Sequence, residues 1–279
     1  MSRAVEQAAL PGRAPLYRQP GQSVNAHGRA VFVAAKNRCG RNPAAKYAIL
    51  DLDGTLLPGH TSRHYLRVLL DDGACDRQAG LSCLEAIAQY AAAEKAPPGL
   101  LDEIYRLYAL AMKGASVAQA RFAAEKTWRA RRGMLFSFVP ELLSLLRASG
   151  YRIHLLSGNH DFPVQEAAFD LGLSGGHGAV VEVADGRFTG RLLSAPGAPG
   201  GKLTFVRCLA DATGFDAENS LAIGNSASDA EVFSCVGKAL AFEPDAELRR
   251  LAAGRPWHVV DRRTILRVCA RLTARATAA

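Results

Sequence analysis

The run Ile49-Leu50-Asp51-Leu52-Asp53-Gly54-Thr55 constrains the fold of this chain more than any other stretch. An apolar segment of strand character ends in two carboxylates two residues apart, and Gly-Thr follows at once. Residues i and i+2 of a strand share a face, so both carboxylates converge on one pocket at the strand's end. Companions follow in order: Leu155-Leu156-Ser157-Gly158, then Lys202, then Ile223-Gly224-Asn225-Ser226-Ala227-Ser228-Asp229. Taken singly each is ordinary. Asp-Gly is a common turn, Ser157-Gly158 a plain strand-to-helix loop, Lys202 a solvated lysine, and Gly224-Asn225-Ser226 a helix cap. Their order, each at a strand end, points to a phosphate-handling, metal-dependent site.

The spacing predicts strands alternating with helices from about residue 45. Strands are expected over Tyr47–Leu52, Tyr151–Leu156, 219–223, 238–242 and 257–260. Helices are expected over 140–149, 161–171, 227–236 and 244–253, with another starting near Lys202 and one at the end of the chain. A hairpin is expected at 180–190, turning at Asp185-Gly186. Residues 61–135 read as almost purely helical, with Leu100-Leu101, Ile104, Leu107-Tyr108 and Ala111 at helical spacing and a break at Pro97-Pro98-Gly99. The expected fold is therefore α/β: a Rossmann-like, doubly wound, mostly parallel sheet with a helical cap inserted after the first strand. The cap is assigned to 59–135 and the α/β core to 46–58 and 136–279. In such sheets ligands bind beyond the carboxyl ends of the strands, which places Asp51, Ser157 and Asn225–Asp229 on one rim.

Residue chemistry then assigns roles. Asp51 is the candidate nucleophile, and Asp53 the group that protonates the leaving oxygen and later deprotonates water. Ser157, with amides near Gly158, would hold phosphate oxygens, and Lys202 would neutralise them and restrain Asp51. Mg²⁺ prefers oxygen ligands and keeps several waters. Asp51, the backbone carbonyl of Asp53, Asn225 and Asp229 are its candidate ligands.

Composition bounds the rest. The 279 residues are 49% hydrophobic, ample for a packed core, and no run of about 18 apolar residues suggests a membrane span. The six cysteines include no C-x-x-C pair, which argues against a zinc site or a disulfide framework and for a reducing, cytoplasmic setting. Of the net charge of +8, residues 1–46 carry eight basic side chains against the single Glu6. Residues 1–45 thus read as a basic, flexible extension, and no nucleic-acid partner is expected for the body of the chain.

The ordered motifs resemble those of the haloacid dehalogenase superfamily of aspartate-nucleophile phosphohydrolases, over about residues 46–268. Glu182–Gly190 and Phe242–Leu248 resemble its phosphoserine-phosphatase-like branch, and the helical insert resembles that family's first type of cap. The resemblance implies the roles given above for Asp51, Asp53, Ser157, Lys202 and Asp229. Two departures stand out. The fourth motif, usually Gly-Asp, is Gly224-Asn225, which removes one negative charge from the metal site. The glutamate that phosphoserine phosphatases place nine residues after the nucleophile is His60, which argues against phosphoserine. His60, Asn159 and His160 are candidate substrate contacts. Arg121, Arg129, Arg131 and Arg132 are basic cap candidates for an acidic substrate group, against a default reading as a solvated helix face. The expected activity is a magnesium-dependent phosphomonoester hydrolase with a small organic phosphate as partner. The alternatives are a phosphotransferase with the same intermediate and a binding protein disabled at Asn225.

Overall fold

A computed structural model describes residues 44–93 and 97–274, together with two short strands, β1 (Gln22–Val24) and β2 (Ala30–Phe32), which pair antiparallel. The remainder of the basic extension expected at 1–45 lies outside the described residues.

The sheet has seven strands in the order β6-β5-β4-β3-β7-β8-β9. They are β3 (Tyr47–Leu50), β4 (Arg152–His160), β5 (Gly175–Ala184), β6 (Arg187–Ser194), β7 (Leu221–Gly224), β8 (Lys238–Phe242) and β9 (His258–Val260). Every neighbouring pair is parallel except β5–β6. Period-two alternation explains why both faces are covered. Ala48, Leu50, Ile153, Leu155, Ile223, Leu240 and Phe242 enter one core with α5 (Val139–Ala148) and α10 (Ile265–Thr273). Their strand neighbours Tyr47, Ile49, Leu156, Ala222, Ala239 and Ala241 enter another, with Val206 of α7 (Gly201–Thr213), Phe233 of α8 (Ala230–Phe233) and Leu248 of α9 (Ala246–Ala252). From β3 the chain builds outward on one side through β4 and β5, and later on the other through β7 and β8. The crevice of such a sheet opens at that switch, at the ends of β3 and β7.

Among the described residues, four α-helices lie between β3 and α5: α1 (Thr61–Asp71), α2 (Arg77–Ala92), α3 (Leu100–Met112) and α4 (Val117–Arg131). They share a third core, in which Tyr65, Leu69, Cys83, Tyr108 and Met112 pack with Val181 and Phe188 of the β5–β6 hairpin. Backbone bonds reinforce that contact: Gly114 N donates to Phe188 O, Phe188 N to Ala115 O, and Val117 N to Gly186 O. The insert thereby extends the antiparallel edge of the sheet. The hairpin turn falls at Asp185-Gly186, with φ of 50° and 73°, the primed geometry such dipeptides favour.

Three strands are longer than the sequence pattern predicts, β6 by running on to Ser194. β4 continues through Ser157, Gly158, Asn159 and His160, with its register to β5 shifting between Leu156 and His160. The motif serine sits on an irregular strand end rather than past it. β5 begins at Gly175, ahead of the expected hairpin segment and in a run of glycines. A Cβ at Gly178 would lie 2.4 Å from Asn159 O, and one at Gly176 2.9 Å from Val164 O. These glycines let the strand approach β4 and α6 (Asp161–Asp170) at close range. The helix expected over 227–236 is shorter: a 3-10 turn (Ala227–Asp229) and then α8.

Candidate active site

Asp51 leaves the end of β3 and is pinned by its N–H donating to Ile223 O. The chain then turns sharply: Leu56 N donates to Leu52 O, and Gly54 N to Leu57 O. Gly54 has φ +79°, and a Cβ there would lie 2.2 Å from Asn225 Nδ2. Only glycine meets both demands.

Asp51 is 8% exposed, and both of its oxygens are engaged. Lys202 Nζ, in the first turn of α7, donates to Oδ1 at 3.1 Å; Thr55 Oγ1 lies 3.1 Å from Oδ2. The same hydroxyl lies 3.2 Å from Asn225 Oδ1. Lys202 also donates to Asp229 Oδ1 at 2.5 Å, so one buried ammonium bridges two buried carboxylates. Burial pushes Asp51 up to about 7 against the pull of Lys202. Burial works equally against the ammonium, but Asp229 and Asp51 outweigh it and hold the Lys202 pKa above the ordinary lysine value.

Asp229 is shaped by its own loop. Its Oδ2 accepts from Asn225 N, Ser226 N and Ser226 Oγ. A Cβ at Gly224 would lie 2.2 Å from Asp229 Cγ, which accounts for the glycine of that motif. Only Oδ1, shared with Lys202, is left to face a cation. Glu231 caps α7 by accepting from Gly200 N and Leu203 N, which fixes the turn that carries Lys202.

Asp53 is gripped from the insert. Thr61 N donates to its Oδ2 at 2.5 Å and Thr61 Oγ1 to its Oδ1 at 2.6 Å; Asn159 Nδ2 adds a bond to Oδ2 at 3.0 Å. Burial raises the Asp53 pKa, while these donors and Arg131 pull against the rise.

Ser157 is buried, and its Oγ accepts from Asn159 Nδ2 at 2.8 Å and Asn159 N at 3.3 Å. A hydroxyl that accepts twice directs its own hydrogen elsewhere. Beside it, Tyr105 OH of α3 donates to Gly158 O and accepts from Gly197 N. A Cβ at Gly158 would lie 3.0 Å from that hydroxyl and 3.3 Å from Gly197 Cα.

Asp51, Asp53, Ser157, Gly158, Lys202, Asn225 and Asp229 therefore converge, and three further expectations need correction. Asn159, expected at a substrate, spends its whole donor group on Asp53 and Ser157 and accepts from Ser62 N at 2.7 Å. His160, expected at the mouth, is buried among Tyr65, Tyr108, Phe162 and Phe188 and accepts from Phe162 N through Nδ1. Burial lowers its pKa to about 3, so it is a neutral core histidine. The four arginines do not form a cluster for an acidic group: Arg121, Arg129 and Arg132 are exposed, in line with a solvated face, and only Arg131 departs from it. Arg121 stacks on Phe162, Arg129 pairs with Glu125, Arg132 with Asp170, and Arg131 is buried. His60 is exposed just before α1, with no capping bond from its side chain. Thr61 and Tyr105 escape sequence reasoning altogether, since nothing in their spacing marks them.

An aspartate-centred crevice at the switch point of a doubly wound sheet places the chain among α/β proteins that hold their ligands beyond the carboxyl ends of the strands. The sequence pattern of the haloacid dehalogenase-like hydrolases matches residues 48–234, and the chain belongs to that family. It is 31% identical over 234 residues to phosphoserine phosphatase SerB1 of Mycobacterium tuberculosis, which spans 81% of this chain and 73% of that one. Its fold matches a phosphoserine phosphatase solved as a phospho-aspartyl intermediate analogue, at TM-score 0.58 and 21% identity over 81% of this chain and 99% of that one. It also matches a Bordetella pertussis protein of unknown function, at TM-score 0.64 and 22% identity over 79% of this chain and all of that one.

Proposed function

We propose that the chain is a magnesium-dependent phosphomonoester hydrolase that forms an aspartyl-phosphate on Asp51 and acts on a small organic phosphate other than phosphoserine. One observation carries the reading: the buried Asp51 carboxylate is clamped between Lys202 on one oxygen and Thr55 on the other. That arrangement orients an oxygen nucleophile beside a fixed positive charge, which is what in-line attack on a phosphate dianion requires.

Asp51 attacks phosphorus as the ester bond breaks, and Asp53 gives the departing oxygen its proton. Water then attacks the aspartyl-phosphate while Asp53 takes a proton from it. Ser157 donates the hydrogen that Asn159 leaves free, and the Gly158 amide serves the same phosphate. Lys202 offsets the phosphate charge. The oxygens of Asp51, Asn225 and Asp229, with the Asp53 carbonyl, are a hard donor set that suits Mg²⁺. Thr55 supports that fit, since one hydroxyl reaches both Asp51 Oδ2 and Asn225 Oδ1. When bound, the ion would supply further charge compensation for the phosphate. The helical insert roofs the crevice, excludes water and sets selectivity. His60 stands where an amine-reading glutamate would be, which is why phosphoserine is disfavoured. We place the enzyme in the cytoplasm, the reducing setting that scattered cysteines suit.

The test is phosphate release, with and without Mg²⁺, from p-nitrophenyl phosphate and a panel of small phosphates that includes phosphoserine, with Asp51→Asn alongside. Turnover that needs the ion and vanishes in the variant supports the reading, and the panel ranks substrates. Turnover that survives in Asp51→Asn sinks it.

A further inference from the structure

The insert is joined to the sheet by two crossings, residues 58–60 and 132–135, and one side chain spans both. Arg131 ends α4 with its guanidinium buried. Its Nη2 donates to Pro58 O at 2.5 Å in the outgoing crossing, and its Nη1 lies 3.8 Å from Met134 Sδ in the returning one. Its Nε donates to Thr61 Oγ1 at 3.2 Å. The carboxylate facing it is Asp53, with Oδ1 3.9 Å from Nη2. A guanidinium out of water is costly unless a partner compensates it, and this one is spent on the insert's hinge rather than on its surface.

We propose that Arg131 is a positioning residue for Asp53, acting through Thr61. The Thr61 hydroxyl has one hydrogen. With Arg131 Nε–H on one lone pair, that hydrogen goes to Asp53 Oδ1, and the Thr61 N–H takes Oδ2. Two donors from one residue hold both oxygens of the carboxyl and so set its plane. A hydroxyl that accepts from a cation is also a stronger donor. The next amide of α1, Ser62 N, fixes Asn159 Oδ1, and Asn159 completes the grip on Asp53. Arg131 thus ties the closure of the insert's two crossings to the placement of the group beside the nucleophile.

The proposal rests on the reading of Asp53 as proton donor to the leaving oxygen, and leaving-group chemistry tests it. When an alkyl phosphate is cleaved, its oxygen departs with the proton Asp53 supplies; p-nitrophenolate departs without one. Asp53 also serves the later hydrolysis of the aspartyl-phosphate, which is common to both esters, so the comparison is made in kcat/KM, which reports the steps up to departure of the leaving group. Arg131→Met should lose roughly tenfold or more additional kcat/KM on an alkyl phosphate than on p-nitrophenyl phosphate. Thr61→Val removes the middle link at nearly constant volume. It should show the same selective loss, and the double variant should add little to either single one. Thr61→Val also carries the test should Arg131→Met fail to fold. An equal loss on both esters, or no loss, in variants of an enzyme that turns both over overturns the positioning role alone. A parent with no Mg²⁺-dependent turnover on either ester removes the role of Asp53, and the proposal with it.

Discussion

Gly54 lies flat against the side chain of Asn225: a Cβ at Gly54 would come within 2.2 Å of Nδ2. This contact fits the first motif of the sequence into the fourth, although 170 residues of chain separate them. Gly54→Ala should be costly on two counts. A left-handed φ costs an L-residue about 1–2 kcal/mol, and the methyl group displaces Asn225. The expected outcome is a loss of about 2 kcal/mol or more in urea unfolding, together with a raised Mg²⁺ half-saturation.

Asn225 offers an oxygen without a charge. Asn225→Asp restores a carboxylate next to Asp51 and Asp229, and should lower the Mg²⁺ concentration for half-maximal turnover about tenfold, ~1.4 kcal/mol. Without metal the third carboxylate is repulsive, so the variant should unfold at lower urea in chelator. Equal half-saturation in parent and variant would show that residue 225 does not meet the ion.

Asn159 links the proton-transfer group to the phosphate-binding serine. Its amide serves only Asp53, Ser157 and Ser62 N. Asn159→Ala should lower kcat about 10–100-fold, within the range for loss of a residue that orients others, with a smaller rise in KM from the loosened Ser157 hydroxyl. A rise in KM with kcat intact would return Asn159 to the substrate.

Asp161 carries a pH dependence of stability. At the start of α6 it is buried and accepts from Gly178 N, and burial pushes its pKa from 3.8 up to about 7. The folded state therefore holds a proton that the unfolded chain releases across that window, and the contribution of this site to stability falls as pH rises from about 4 to 7. Asp161→Asn removes the titration. Between about pH 5 and pH 8 the parent should lose on the order of 3 kcal/mol relative to the variant. A constant gap in urea unfolding would refute this.

The sequence carried the strand framework because strands buried on both faces leave short continuous apolar runs. Ala48 and Leu50 face one core and Tyr47 and Ile49 the other, and that pattern is local. The carboxylate pair, Ser157, Lys202 and Asp229 were legible for a related reason, since each sits at a strand end or in the first turn after one. Thr61, Tyr105 and the burial of Arg131 left no such trace. Their partners are 8 to 92 residues away in sequence, and a hydrogen bond across that distance imposes no periodicity. His160 misled because the position after a phosphate-loop serine looks exposed, whereas here β4 runs on and turns the ring into an aromatic core.

The stitching of the insert to β6 through Gly114, Ala115 and Val117 has a kinetic consequence. An insert held only at its two crossings could swing as a door. This one is also hydrogen-bonded along a sheet edge and shares Val181 and Phe188 with the hairpin, so swinging it away would mean peeling an edge strand and wetting an apolar core. Moving the insert away from the hairpin therefore carries a barrier beyond that of turning about its two crossings, because the bonds at Gly114, Ala115 and Val117 and the packing of Val181 and Phe188 must be given up first.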